Sequence, residues 1–129
     1  MKGERPEDKI RQNGDLNSGT QSNILIIPTR NGFEFVNKQQ ISFVSAERAY
    51  CTLHLRDGSS LLISRSLCQI QEELKDLPFY RVHHSYLVNL NCIKRVHQTE
   101  GALLQLECGR EVPLARSRKE AFLEWVKAR

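Results

Sequence analysis

The sequence predicts a mainly β fold with one internal helix and one C-terminal helix. From Asn23 onward, short apolar runs alternate with turn pairs such as Asn31-Gly32 and Asp57-Gly58. Only two stretches switch to helical spacing. The length of 129 residues suits one domain, since a typical domain holds roughly 100–200 residues.

The elements follow in order. Ile24-Leu25-Ile26-Ile27 reads as a strand closed by Pro28, and Asn31-Gly32 as a hairpin turn because both residues accept positive φ. Phe33 and Phe35 alternate with Glu34 on a second short strand. Ile41–Val44 and Tyr50–Leu55 follow, and Asp57-Gly58 turns the chain into Leu61-Leu62-Ile63. Leu67, Ile70, Leu74 and Leu77 then mark one face of a helix. Ser66 and Gln69 form its capping box and Pro78 stops it. Strands resume at Tyr80–His83, Tyr86–Val88, Ile93–Val96, Leu103–Leu106 and Glu111–Pro113, with turns at Glu100-Gly101 and Cys108-Gly109. Ser117 and Glu120 read as a second capping box, ahead of a helical stripe of Ala121, Phe122, Trp125 and Val126.

Residues 1–22 have a different composition. Met1, Ile10 and Leu16 are their only large apolar residues. Too little apolar surface is available to offset ordering entropy, so a disordered tail or linker is expected there, with the folded domain at 23–129. Lys2, Arg5, Lys9 and Arg11 cancel Glu4, Glu7, Asp8 and Asp15, so the whole formal charge of +4 falls in the folded part. No apolar run approaches the roughly 20 residues of a membrane span. The N-terminus has no apolar core of a secretory signal, so a cytoplasmic location is expected.

The cysteines fit a reducing compartment. Cys51, Cys68, Cys92 and Cys108 are dispersed, with no CxxC pair, and buried or half-buried free thiols are expected. Cys51 and His54 are the closest mixed pair. On a strand, positions three apart point to opposite faces, so they cannot share a metal. No metal or cofactor is expected.

Catalytic motifs are missing: the sequence holds no GxSxG, phosphate-binding glycine loop or HExxH. His83-His84-Ser85 is too compact for a nucleophile–base pair, and no enzyme activity is expected. Nucleic-acid binding is better supported. Residues 79–119 carry Arg81, Lys94, Arg95, Arg110, Arg116, Arg118 and Lys119 against three glutamates. Arg116-Ser117-Arg118-Lys119 opens a helix, where backbone N–H groups and basic side chains favour phosphate. Arginine also reads guanine in the major groove. Tyr80 and Tyr86 read as core rather than as a stacking platform, which disfavours single strands and RNA.

Residues 79–93, Phe-Tyr-Arg-Val-His-His-Ser-Tyr-Leu-Val-Asn-Leu-Asn-Cys-Ile, resemble the signature of the LytTR DNA-binding domain. The resemblance extends upstream through Ile41–Glu47, the Tyr50 strand, the Asp57-Gly58 turn and the Ser66 helix. Downstream it takes in Val112-Pro113-Leu114-Ala115-Arg116 and the terminal helix, covering about residues 23–127. It implies an elongated arrangement of short antiparallel sheets that binds double-stranded DNA as a bacterial transcriptional regulator. Family members usually belong to two-component systems as response regulators, behind a receiver domain that answers to a sensor kinase. Loops rather than a recognition helix are thought to enter successive major grooves and bend the DNA, so part of the specificity is indirect. Two copies are expected on repeated promoter sites, as a homodimer.

Carried over by position, the resemblance implies three contacting segments. The first is Arg48, Ala49 and Tyr50. The second is His83-His84-Ser85, with His84 at the family's variable polar contact position. The third is Arg116-Ser117-Arg118, with Lys119, Lys94 and Arg95 as phosphate contacts. Ala49 stands where relatives place a polar side chain, and Ala115 replaces the common Ser before Arg116. His83 reads as a structural imidazole bonded to backbone, and Asn89 as a backbone-bonding turn residue. Tyr86, Leu87 and Trp125 read as core, and Arg81 as either a phosphate contact or a surface ion pair. The competing reading is a LytTR-like protein-interaction or dimerisation module that modulates a full-length regulator without reading DNA.

Overall fold

The computed structural model describes residues 23–98 and 101–128. The expected tail at 1–22 lies outside the described residues, as does Glu100 of the expected Glu100-Gly101 turn. The strands are β1 (Ile24–Thr29), β2 (Gly32–Asn37), β3 (Ile41–Glu47), β4 (Tyr50–Leu55), β5 (Ser60–Ile63), β6 (Phe79–His83), β7 (Tyr86–Asn89), β8 (Ile93–His97), β9 (Ala102–Leu106) and β10 (Glu111–Leu114). The helices are α1 (Leu67–Glu73) and α2 (Arg116–Lys127). The described chain is thus mainly β with two helices, as the periodicity predicts.

All pairing is antiparallel. β1 and β2 form a hairpin, β5-β4-β3-β7-β6 a five-stranded sheet, and β10-β9-β8 a three-stranded sheet. The five-stranded sheet lies in the middle, because its two faces bury different cores. On one face Ile41, Val44, Cys51, Leu53, Ile63 and Leu87 pack with Leu25, Ile27 and Val36 of the hairpin and Leu67, Ile70 and Leu74 from α1 and its C-terminal end. On the other, Phe43, Val82 and Val88 pack with Leu104, Leu106, Val112 and Leu114 of the small sheet and Phe122 of α2. This accounts for Ile41, Ser42, Phe43 and Val44 all being buried in succession, where a one-faced strand would alternate.

Two bulges adjust that central sheet. The register of β3 on β4 shifts between Ile41 and Phe43, so Ser42 is the extra residue and these two apolar side chains face different cores. The register of β6 on β7 shifts between Arg81 and His83, with Val82 extra. The Val82 carbonyl then accepts a bond from the Ala115 N–H at 2.8 Å, which ties the start of α2 to the sheet.

Four local expectations are corrected. Pro28 lies within β1 rather than ending it, tolerated because a two-stranded hairpin has free edges. The hairpin loop is Arg30-Asn31, with Thr29 opposite Gly32, and positive φ falls on Gly32 (152°) but not on Asn31. Helix α1 stops at Glu73, where Leu74 leaves helical geometry (φ −105°, ψ 12°), so Leu77 lies half-buried beyond the helix rather than on its face. Its Ser66–Gln69 capping box is present in both directions. The second capping box is not formed: α2 begins at Arg116, Ala115 occupies the N-cap, and no side chain caps the helix. The bond from Ala115 to Val82 fixes where the strand gives way to helix, placing Ser117 inside the first turn.

The thiol expectation is also half corrected. Cys51 and Cys92 are buried, whereas Cys68 and Cys108 are exposed. Burial pushes the Cys51 and Cys92 thiols above their ordinary range, which makes them poor nucleophiles. Cys51 belongs to the first core, while the His54 ring stacks on Phe43 of the second, so the pair does point apart.

Candidate nucleic-acid interface

The pairing of β3 with β7 decides where the contacting segments lie. Ser45 is opposite Tyr86, and the Ala46 N–H donates to the Ser85 carbonyl at 2.8 Å. The Glu47–Tyr50 turn and the His83–Tyr86 turn therefore leave the same end of the central sheet. The bond from Ala115 to Val82 brings the first turn of α2 to that end. The fold gathers three segments that lie about 35 residues apart along the chain.

In the first segment, Glu47 pairs with Tyr50 around a two-residue loop of Arg48 and Ala49. All three candidates there are exposed. Arg48 has φ 59°, the one positive value at a non-glycine among the described residues. Left-handed backbone at a side chain of this size costs on the order of 1–2 kcal/mol, and such outliers gather at functional turns. Arg48→Gly is expected to raise stability by about 1 kcal/mol while weakening DNA binding. Parallel melting and DNA titrations check this. A gain in stability with unchanged affinity would remove Arg48 from the interface.

The second segment is built around His83. It is half-buried, its Nδ1 accepts the Ser85 N–H at 3.1 Å, and its ring meets Tyr86 edge-on at 5.5 Å. His84 is exposed and stacks on His83 with ring centroids 4.4 Å apart. His83 is thus the structural imidazole the sequence suggests, and it is also the shelf that orients His84. Desolvation, His84, Arg118 and Arg81 all push the His83 pKa below its ordinary value. His54 is likewise lowered, by burial and by Arg110.

The sign of the pH effect follows. A histidine with depressed folded pKa contributes stability above its unfolded pKa of about 6.5, and this is lost as pH falls through the folded value. Protonated His83 can no longer accept the Ser85 N–H. The melting temperature should decline as pH drops below about 6.5, and a His54→Gln, His83→Gln double variant should flatten that decline. Thermal melts across this pH range provide the measurement. Equal slopes in both proteins would contradict it.

Arg81 makes no ion pair among the described residues, and its guanidinium is taken up by backbone and side-chain hydrogen bonds. Its Nε donates to the His83 carbonyl at 3.0 Å and its Nη2 to the His84 carbonyl at 2.6 Å. Nη1 donates to Gln71 Oε1 at 3.1 Å on α1. One guanidinium thus clasps the backbone of the second segment and fastens it to a helix, using its planar fork. Sequence reasoning missed this role. The available signal was a cation on a strand between Tyr80 and Val82, both facing the second core.

In the third segment, Arg116 and Ser117 are exposed, while Arg118 and Lys119 are half-buried. Arg118 Nη1 approaches the Arg81 carbonyl at 3.4 Å, on the His83 side of the helix. Arg116 and Lys119 line a recess with Gly101, Ala102 and Leu114 on the other side. The first turn of α2 has three basic side chains and no acidic residue. Cations at a helix N-terminus oppose the macrodipole, so this arrangement does not serve helix stability and suits an anion.

Lys94 and Arg95 are exposed but stand elsewhere. Arg95 pairs with Gln105, and Lys94 lies further toward Cys92, whereas Ala102 and Leu114 mark the end of the small sheet nearest Arg116. The structure does not bring these two into the cluster. Asn89 is away from it too: it is buried, donates to the Ile41 carbonyl at 3.0 Å and accepts the Asn91 N–H at 2.9 Å.

Residues 31–127 match the family model of the LytTr DNA-binding domain. The chain belongs to the LytTR family. A curated relative is the sensory transduction protein LytT of Oceanobacillus iheyensis, 34% identical over 61 residues. That match covers 47% of this chain and 25% of the relative, so the matched part is a quarter of a longer protein. A LytTr DNA-binding domain from Bacillus cereus has the same fold, with a TM-score of 0.67 at 24% identity, over 81% of this chain and 97% of that one. The LytTR assignment makes this a DNA-binding domain, and among its described helices none is long and apolar enough to cross a membrane.

Proposed function

We propose that this LytTR domain reads double-stranded DNA sequence-specifically and regulates transcription, by placing two strand-connecting turns and the first turn of α2 into the major groove. The observation that carries the reading is the convergence of residues 48–50, 83–85 and 116–119 at one end of the central sheet. In this reading His84 and Arg118 contact base edges, Arg116 and Lys119 bind phosphate, and Arg48 supplies the polar contact that Ala49 lacks. Two copies occupy repeated sites as a homodimer. A receiver domain or sensor kinase supplies the signal, in keeping with the name of the LytT relative.

Selection of bound sites from random DNA, followed by titration at several salt concentrations, tests the reading. The affinity should fall steeply with salt, as counterions are released. His84→Ala and Arg118→Ala should each lose about 1–3 kcal/mol on the selected site, with less effect on scrambled DNA. Equal wild-type affinity for selected and scrambled DNA would sink the sequence-specific reading.

A further inference from the structure

The β1–β2 hairpin runs alongside the central sheet, with its loop at the end that carries Tyr50. Near its open end, Val36 and Asn37 line a recess with Leu55 and Asp57, beside the β4–β5 turn. At the loop end, Pro28, Thr29 and Arg30 line a second recess of about 530 Å3 with Tyr50, Leu62 and Ser64. Cys51 pairs with Ile63, so Ser64 follows β5 at the Tyr50 end as well. Leu25, Ile27 and Val36 anchor the hairpin in the first core. Arg65 fastens it further, donating to the Ile26 carbonyl and to Glu73 of α1, both at 2.8 Å. Arg30 is exposed in the loop and makes no hydrogen bond or ion pair with the described residues. We propose that Arg30 binds a phosphate of duplex DNA, on the strand opposite the one held by Arg116 and Lys119.

The inference rests on the reading that this end of the sheet meets DNA, and it adds a contact on the far side. The hairpin packs on the first-core face of the central sheet, whereas α2 packs on the second-core face. Arg30 and the cations of α2 therefore flank the turns that carry Arg48 and His84 from opposite sides. A major groove about 12 Å wide has a sugar–phosphate chain along each wall. Turns that enter it leave one chain toward α2 and the other toward the hairpin. The side chains around Arg30 suit that second chain. Thr29, Tyr50 and Ser64 are exposed and bring three hydroxyls to the recess, and no acidic side chain lines it. Arginine and hydroxyl side chains are the usual donors to phosphate oxygens. Arginine adds a charge that no neighbour in the recess neutralises, so a phosphodiester meets both a cation and hydrogen-bond donors there.

Salt titrations of the full chain test the contact. Arg30→Ala should lower the slope of log affinity against log salt by about one, on selected and scrambled DNA alike. Between about 50 and 200 mM salt the wild type should then lose about threefold to fourfold more affinity than the variant, as one fewer phosphate contact requires. Arg30→Lys should restore the slope, and both variants should melt as the wild type does because the side chain is exposed. Phosphate ethylation interference on the selected site tests the strand. Arg30→Ala should lose interference on one strand, and Arg116→Ala on the other. An unchanged salt slope for Arg30→Ala overturns the proposal, as does loss of interference on the same strand for both variants. Equal wild-type affinity for selected and scrambled DNA would sink the sequence-specific reading alone. The slope on scrambled DNA would still decide Arg30, a drop supporting the contact and no drop overturning it.

Discussion

Phe43→Ala is expected to cost about 3–5 kcal/mol of folding stability. The side chain is fully buried on the strand that both cores share. Its ring lies against His54 at 4.1 Å, nearly parallel, with Tyr86 at 6.4 Å. The Arg110 guanidinium sits over it at 5.3 Å. Truncation therefore leaves a cavity between the central and small sheets, and removes the apolar face from one imidazole and one cation. Phe33→Ala is the internal control, since its ring is exposed and surface changes stay within about 0.5 kcal/mol. Denaturant titration of both variants makes the comparison. A loss under about 1 kcal/mol at Phe43 would mean the two sheets re-close over the gap, and the layered account would be wrong.

Arg81→Ala is expected to weaken binding to the selected DNA site by about 1.5–3 kcal/mol, the range for charge-assisted hydrogen bonds. Its two bonds to the His83 and His84 carbonyls hold the loop that carries His84. Because the guanidinium is already occupied by two backbone carbonyls and Gln71, the slope of log affinity against log salt should stay unchanged. A phosphate contact would behave differently, lowering that slope by about one on removal. Arg81→Lys should rescue little, since an ammonium cannot bridge two carbonyls and Gln71 with planar geometry. A salt slope reduced to the same extent as for Arg116→Ala would place Arg81 on the DNA instead.

The strands were legible because period-two patterning and turn pairs are local. Each of the ten runs recognised in the sequence corresponds to a strand, and the Ser66 capping box is satisfied as read. What local patterning does not encode is the partner across a sheet. The extra residues Ser42 and Val82 exist only relative to β4 and β7, and they decide which core Phe43 joins and where His83 points. The start of α2 was misplaced for the same reason: Val82, some thirty residues upstream, fixes it. The site divides in the same way. His84, Arg116 and Arg118 came from the family signature, whereas the clasp by Arg81 has no periodic signal. Lys94 and Arg95 looked equivalent to the others by charge, and only sheet register separates them.

The end-on grouping of the three segments bears on how such a protein diversifies. Arg48, Ala49, His84 and Arg116 project from the end of a sheet whose strands are locked on both faces by Ile41, Phe43, Val44 and Leu87. Changing what they touch leaves those layers intact. On the proposed reading, operator preference can therefore drift by substitution at the tips while the scaffold behind them stays the same, so a duplicated copy could acquire new promoters without first having to refold.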